Sequence, residues 1–263
     1  MYTLNTLYAL RARLGLATSE TADDTRLIAA LQAAAAQVER AAGRRFAPRK
    51  AALQHTITRA TELLLDDDLL ELTTLANGDG TTIPLNNVLL LPDDAPAGGL
   101  LLTVGSSFIW TQTPIQAVTV TGIWGWHDRW VSSAWRDSSD TVQNNPLGSS
   151  ATSITVADAD GADITSETPR FQVGHLLKIE NEYLRVLAVN TATNVLTVLR
   201  GVNGTTAASH ALNTPIYSYQ PVPDIAAIAL RRAARLYREP DSAAAAAAML
   251  DSLSPYRRYP VKV

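Results

Sequence analysis

The side chains that could do acid–base or metal chemistry begin with four histidines, His55, His127, His175 and His210, and no two of them stand four residues apart. No HExxH, GxSxG or Walker-type phosphate loop occurs in the chain. There is no Cys, which excludes a disulfide framework, a Cys-ligated zinc or iron–sulfur centre and a cysteine nucleophile. His127-Asp128 could be half of a nucleophile–base pair. No Ser stands in an elbow-like setting to complete it, so a surface or packing role is expected. No catalytic residue is assigned, and an enzyme is not expected.

Two acidic runs, Asp66-Asp67-Asp68 and Asp158-Ala159-Asp160-Gly161-Ala162-Asp163, offer oxygen ligands of the kind calcium loops use. The second lacks a third alternating ligand, places its Gly too early and has Glu167 as its only later acid, so a solvated acidic turn is expected, with no metal and no cofactor. All five Trp fall within the 26 residues from Trp110 to Trp135, the others being Trp124, Trp126 and Trp130. Such a cluster can stack sugars or bases, anchor a subunit interface, or fill a core. With only three Phe in the chain, core or interface use is favoured, and Trp124, Trp126 and Trp130 are the interface candidates. A nucleic-acid groove would need interleaved cations, and this stretch offers only Arg129 and Arg136. Arg231, Arg232, Arg235 and Arg238 could bind phosphate, face solvent or pair with acids; Arg231 and Arg235 are further interface candidates.

The elements that must position these groups follow from periodicity. Apolar spacing predicts a helix over residues 4–14 stopped by Gly15, and a second one capped by Thr21, with Leu27, Ile28, Leu31, Ala35 and Val38 as its stripe and Gly43 as its stop. Short strand patterns follow at 55–58, 62–65, 69–75, 88–91, 100–104 and 118–121, with Asn77-Gly78-Asp79-Gly80 as a hairpin turn. A second β block is expected near 153–156, 176–180, 183–189, 195–199 and 215–219, separated from the first by an exposed polar linker, Asp137 to Ser150. Pro223-Asp224 opens a helix that Pro240 ends, Asp241-Ser242 caps a last one through Leu253, and a basic aromatic tail closes the chain. The expected class is α+β: terminal helices forming a small helical bundle, a β region, and an inserted small β-barrel or sandwich. The expected domains are residues 1–52, 53–136, 137–220 and 221–263, the last joining the first.

A content of 46% hydrophobic and 18% charged residues suffices for one large core or two smaller ones and excludes a disordered or collagen-like chain. The net charge of −3 hides a segregation. Residues 1–59 hold nine Lys/Arg against four Asp/Glu (+5), residues 60–220 six against seventeen (−11), and residues 221–263 seven against four (+3). Opposite surfaces of this kind suit association. Met1-Tyr2-Thr3-Leu4-Asn5 lacks the basic, apolar pattern of a signal peptide, and the Ala run 243–248 is too short to span a bilayer, so no membrane partner is expected.

Three stretches together resemble the head-tail connector (adaptor, head-completion) proteins of tailed double-stranded DNA phages: the N-terminal hairpin ending Val38-Glu39-Arg40-Ala41-Ala42-Gly43-Arg44-Arg45-Phe46-Ala47-Pro48; the Pro223-Asp224-Ile225 helix with Arg235-Leu236-Tyr237-Arg238 and the closing Leu253-Ser254-Pro255-Tyr256-Arg257-Arg258; and an insert similar to a β module of phage virion proteins. The insert carries Gly174-His175-Leu176-Leu177-Lys178-Ile179, Glu182, Leu196 to Gly201, Gly204-Thr205 and His210. The resemblance implies a virion protein made in the host cytoplasm and placed in the neck between capsid and tail. Its homo-oligomeric ring, typically of twelve subunits, sits beneath the portal protein with a stopper or tail-completion protein below. DNA passes through the lumen without sequence-specific binding. The resemblance makes Pro255, Tyr256, Arg257 and Arg258 the portal-contact candidates. The competing expectation is a carbohydrate-binding β protein of a virion using the Trp110–Trp135 cluster.

Overall fold

The computed structural model describes residues 3–239 and 252–258. The chain forms two compact units. One holds Arg44–Val131 with Arg258, and the other joins the residues up to Gly43 with Ser132–Arg257. The divisions fall after Gly43 and Val131, so Trp135 and Arg136 belong to a different unit from the other four Trp.

The Arg44–Val131 unit is one antiparallel sheet. Its strands are β1 (Arg49–His55), β2 (Glu62–Ala76), β3 (Thr82–Ile83), β4 (Val88–Leu91), β5 (Ala97–Leu102) and β6 (Val118–Trp124). The order is β1-β6-β2-β5-β4, with β3 paired to β2 across the Asn77–Gly80 hairpin. Asn77 fastens that turn through its side chain, accepting the Ile109 N–H at 2.9 Å and donating to the Ser107 carbonyl at 3.2 Å. The two strand patterns at 62–65 and 69–75 are one continuous strand. The acidic triple between them does not break it. Its register shifts by a bulge between Leu64 and Leu69, and arginines neutralise two of the acids. Leu63, Leu65, Leu69, Leu75, Leu100, Leu102, Val118, Val120 and Trp124 form the core of this unit.

In the other unit, α1 (Leu7–Leu14) starts where the Thr6 hydroxyl accepts the Ala9 N–H at 3.1 Å, and it stops at Gly15 in the left-handed region. α2 (Asp24–Ala42) buries Leu27, Leu31, Ala34, Ala35 and Val38 and ends at Gly43. Thr21 does not cap it. Asp23 holds the cap position, but its carboxylate accepts the Tyr237 hydroxyl at 2.5 Å instead of a backbone N–H, so a tertiary bond replaces the local cap. After the single turn α3 (Trp130–Ser133), α4 (Pro223–Arg238) begins with Pro in its first turn and buries Ile225, Ile228, Ala229, Ala233 and Ala234. Leu7, Leu10, Leu27, Leu31, Ala34, Ala233 and Ala234 make one apolar cluster from helices at opposite ends of the sequence. Of the last expected helix, residues 240–251 lie outside the described residues; Ser254–Tyr256 form a short 3-10 turn.

The same unit holds a second antiparallel sheet: β7 (Trp135–Thr141), β8 (Ser153–Thr155), β9 (Leu176–Ile179), β10 (Glu182–Asn190), β11 (Val195–Leu199) and β12 (Pro215–Tyr219). Its order, β7-β12-β9-β10-β11-β8, is an open path, so the expected barrel does not close. The supposed exposed linker, Asp137 to Ser150, is largely structural: β7 occupies its start, and Ser138, Asp140, Val142 and Leu147 are buried. Its polar groups misled because they are paired internally. Ser138 donates to the Ile216 carbonyl at 2.7 Å, and the Asp140 carboxylate accepts the N–H groups of Thr141, Ala157 and Asp158 at 2.7 to 3.0 Å. The N-terminal segment is tied to the loop before β9: the Leu7 N–H donates to the Val173 carbonyl at 3.0 Å, and Thr3 donates to the Gly174 carbonyl at 3.1 Å.

Gly122, in the middle of β6, has no room for a side chain. A Cβ there would lie 2.2 Å from the Glu71 carbonyl oxygen and 2.8 Å from Leu69. Gly122→Ala is therefore expected to destabilise the Arg44–Val131 unit by about 1–3 kcal/mol. Thermal unfolding followed by near-ultraviolet circular dichroism checks it; an unchanged transition would contradict the close β6–β2 approach.

Candidate functional site

The densest polar constellation is built on the edge of β10. Glu182 opens that strand and is 1% exposed at its side chain. Its carboxylate takes Arg200 in a two-pronged bond, Nε at 2.6 Å and Nη2 at 2.7 Å, and accepts the N–H groups of Gly201 at 2.9 Å and Ala208 at 3.0 Å. Nε2 of His210 lies 2.8 Å from the same carboxylate, and Nδ1 lies 2.7 Å from Glu180. Arg200 also donates to the carbonyls of Gly148, Ala151 and Ala208. Thr205 accepts the Tyr183 N–H at 3.0 Å. Burial by itself would raise the Glu182 pKa. The bonds from Arg200, the Ala208 N–H, His210 and the Gly201 N–H outweigh it and hold the pKa down at about 2.

Glu182, Arg200, Gly201, Thr205 and His210, spaced along the sequence of the insert, thus meet in one knot. Its chemistry is that of a clamp. The carboxylate is saturated and enclosed, leaving no approach for a substrate, while the knot pins the 200–210 loop and the Gly148–Ala151 turn to the sheet. Alternation could mark β10 as a strand, but it could not show that its first residue, an acid, points inward onto a cation.

A cavity of about 390 Å³ lies beside the N-terminus of α1, with Thr6, Tyr8, Glu167, Gln172, His175 and Tyr219 among its walls. His175 Nδ1 accepts the Gln172 N–H at 3.3 Å. Burial first, and then the nearby Arg136 charge, lower its pKa to about 4 against an opposing pull from Asp163, so the ring is neutral at physiological pH.

The Trp residues do not form one platform. Trp124 is 1% exposed, donates to the Ala51 carbonyl at 3.0 Å and stacks on His55 at 5.6 Å. Trp130 is also buried, so both are core residues of their own chain. Trp126 meets Phe46 edge-on at 5.8 Å under the Arg44 guanidinium. Trp135 packs with Tyr183 and Tyr219 in the other unit, and Trp110 is half exposed. His127 is buried, and its Nδ1 accepts the Arg129 N–H at 3.0 Å, a packing role.

The acidic runs hold arginines. Asp68 pairs with Arg44 at 2.8 Å and lies 3.5 Å from Arg258; Asp67 pairs with Arg49 at 2.6 Å. Asp163 pairs with Arg136 at 3.0 Å, and Asp158 and Asp140 both lie 3.5 Å from Arg170. Arg231 and Arg235 are exposed on α4, with Arg235 3.8 Å from Glu239. In the terminal segment Pro255 is exposed and Arg257 half-buried, while Tyr256 donates to Asp224 at 2.5 Å and Arg258 donates to the Leu65 carbonyl. Tyr256 and Arg258, both portal-contact candidates, are thus bonded within the chain.

The chain matches no protein-family model and no curated protein sequence.

Glu182→Gln removes the charge while leaving Arg200 buried, and is expected to cost about 3 kcal/mol or more in stability. The pH dependence has two windows. The charge of Glu182 stabilises the fold fully above its unfolded value of 4.5, and that contribution is lost as pH falls through about 2. His175, neutral when folded, takes up a proton on unfolding below 6.5, so stability also declines as pH falls from 6.5 to about 4. Denaturant titrations between pH 7 and pH 2 check both: Glu182→Gln should flatten only the lower window, and an unaltered profile would refute the charged assignment.

Proposed function

We propose that this chain is a structural, non-catalytic protein of a tailed-phage neck: a head-tail connector subunit whose ring, of about twelve copies in the pattern of the proteins it resembles, joins the portal to a stopper or tail-completion protein and lets the genome pass. The observation that carries the reading is the single apolar cluster made by α1, α2 and α4. Helices from the two ends of the chain meet, and the β segments are carried between them, as in a small terminal helical bundle with insertions.

Two further features support it. Five of the insert residues on which the resemblance to a phage β module rests, Glu182, Arg200, Gly201, Thr205 and His210, form the internal clamp, so they hold a module together and leave its surface available for contacts. The buried carboxylates Glu182, Asp68 and Asp140 are neutralised by arginines or saturated by backbone N–H groups, as suits a scaffold rather than a reaction centre. The acidic middle of the sequence repels DNA rather than gripping it, which fits a channel component through which DNA passes unread.

On this reading the basic terminal segment with Pro255, Tyr256, Arg257 and Arg258 contacts the portal. Deleting residues 254–263 removes the Tyr256–Asp224 and Arg258–Asp68 contacts, so it is expected to lower the circular dichroism melt while the chain still folds, and to abolish co-sedimentation with portal rings from the same phage. Undiminished co-sedimentation of the shortened chain would overturn that role; a full-length chain that never binds portal would overturn the neck reading itself.

A further inference from the structure

Three strands of the Arg44–Val131 unit each carry three leucines in a row: Leu63-Leu64-Leu65 on β2, Leu89-Leu90-Leu91 on β4 and Leu100-Leu101-Leu102 on β5. Successive side chains of a strand point to opposite faces, so a sheet with one face in water needs alternation; an unbroken apolar run is the pattern of a strand covered on both faces. Of the inward members, Leu63, Leu65, Leu100 and Leu102 belong to the unit's core and Leu90 packs against it. The outward members have no such cover. Leu64, Leu89 and Leu91 are 38%, 52% and 39% exposed, and Leu101 is half-buried.

The register gathers these four side chains. Leu89 stands opposite Leu101, and Leu91 and Leu64 stand on either side of Gly99. Gly99 is buried, and a Cβ there would meet the Leu63 carbonyl oxygen at 3.2 Å and both leucines at 3.8 Å, so Leu64 and Leu91 close over the glycine into one apolar patch. β4 is the last strand of its sheet, and its outer backbone edge is unpaired within that sheet. The outward leucines therefore form an apolar patch beside an open edge, the kind of feature that marks a contact.

Its rim has a definite charge. Asp93 and Asp94 are exposed immediately after β4, and Asp66, 93% exposed at its side chain, follows Leu64 by two residues along β2. A partner must therefore bring cations on long apolar stems. The chain carries such a face itself: Arg231, Arg235 and Arg238 are exposed at helical spacing along α4, where their methylene stems can cover leucine while their guanidinium groups reach carboxylates.

We propose that the Leu64–Leu89–Leu91–Leu101 surface receives the Arg231–Arg235–Arg238 face of α4 from a second copy of this chain. The contact uses two different patches and is head-to-tail, the type that can close into a ring. The choice of a second copy as occupant rests on the ring reading above; the surface itself rests on the leucine register.

The test uses the full-length chain, alone and with portal rings. Native mass spectrometry of Leu89→Asp/Leu91→Asp, an exposed substitution, is expected to show self-association weakened on the order of tenfold or more with an unchanged melt. The second arm exploits the absence of native Cys. A mixture of a Leu89→Cys chain and an Arg235→Cys chain should give a disulfide-linked dimer that neither chain gives alone, and this arm serves even where the aspartates perturb folding. Wild-type association in the aspartate variant, or no mixed dimer, overturns the surface while full-length co-sedimentation with portal still stands for the neck reading. A wild-type chain that stays monomeric with and without portal overturns the surface, and loss of portal co-sedimentation as well would overturn both.

Discussion

A carboxylate carried into the interior must take a cation or several N–H donors with it, and this constraint organises both units. Glu182 takes Arg200, Asp68 takes Arg44 and Arg258, Asp24 takes Arg11, and Asp140 takes three backbone N–H groups with Arg170 nearby. Each pair ties together segments distant in the chain. Arg200 anchors a loop to β10, Arg44 and Arg258 meet on one strand, and Arg11 holds α1 to α2. The pairs contribute fold specificity where apolar contacts alone would tolerate slippage, because a half-satisfied network is costly.

The same constraint changes the meaning of the charge count. The middle of the chain carries few cations, and Arg136, Arg170 and Arg200 among them are paired to acids of the same unit. The acids left over, such as Asp66, Asp93 and Asp94, are exposed. The surface is thus locally more acidic than composition suggests, whereas α4 turns arginines outward. In the proposed contact between two copies, long-range attraction between two such surfaces would set orientation and partner choice, and the outward leucines would supply apolar area.

Much of the fold was legible in the residues. Gly15 and Gly43 stop their helices, Asn77–Gly80 turns a hairpin, and β8 to β12 lie close to their alternating patterns because local φ preferences and two-residue periodicity are properties of short segments. The misses share one cause. β7 read as a linker because Ser138 and Asp140 are polar, and their partners, the Ile216 carbonyl and the N–H groups of Ala157 and Asp158, are brought close only by the sheet. Thr21 was the better local cap, but Tyr237, far along the chain, drew Asp23 into its own bond. Trp124, Trp130 and Trp135 are neighbours in sequence, yet Trp124 fills the core of one unit, Trp130 is buried on the turn that follows its sheet, and Trp135 packs in the other unit, since the element that carries a ring, not spacing, decides where it points.

By itself the sequence determined that helices flank two strand-rich blocks, the absence of thiol chemistry, and the division of charge between terminal segments and middle, since composition and periodicity require no knowledge of distant contacts; β1, β3 and β7 were not legible in it. Only the tertiary structure decided which acids are buried and which are exposed, that Glu182, Arg200 and His210 close one clamp, and that the outward leucines of β2, β4 and β5 share a face. Those outcomes depend on register and on which strand lies at an edge. Both are set by packing of the whole sheet, and a register moved by one residue would have turned every one of those leucines to the opposite face.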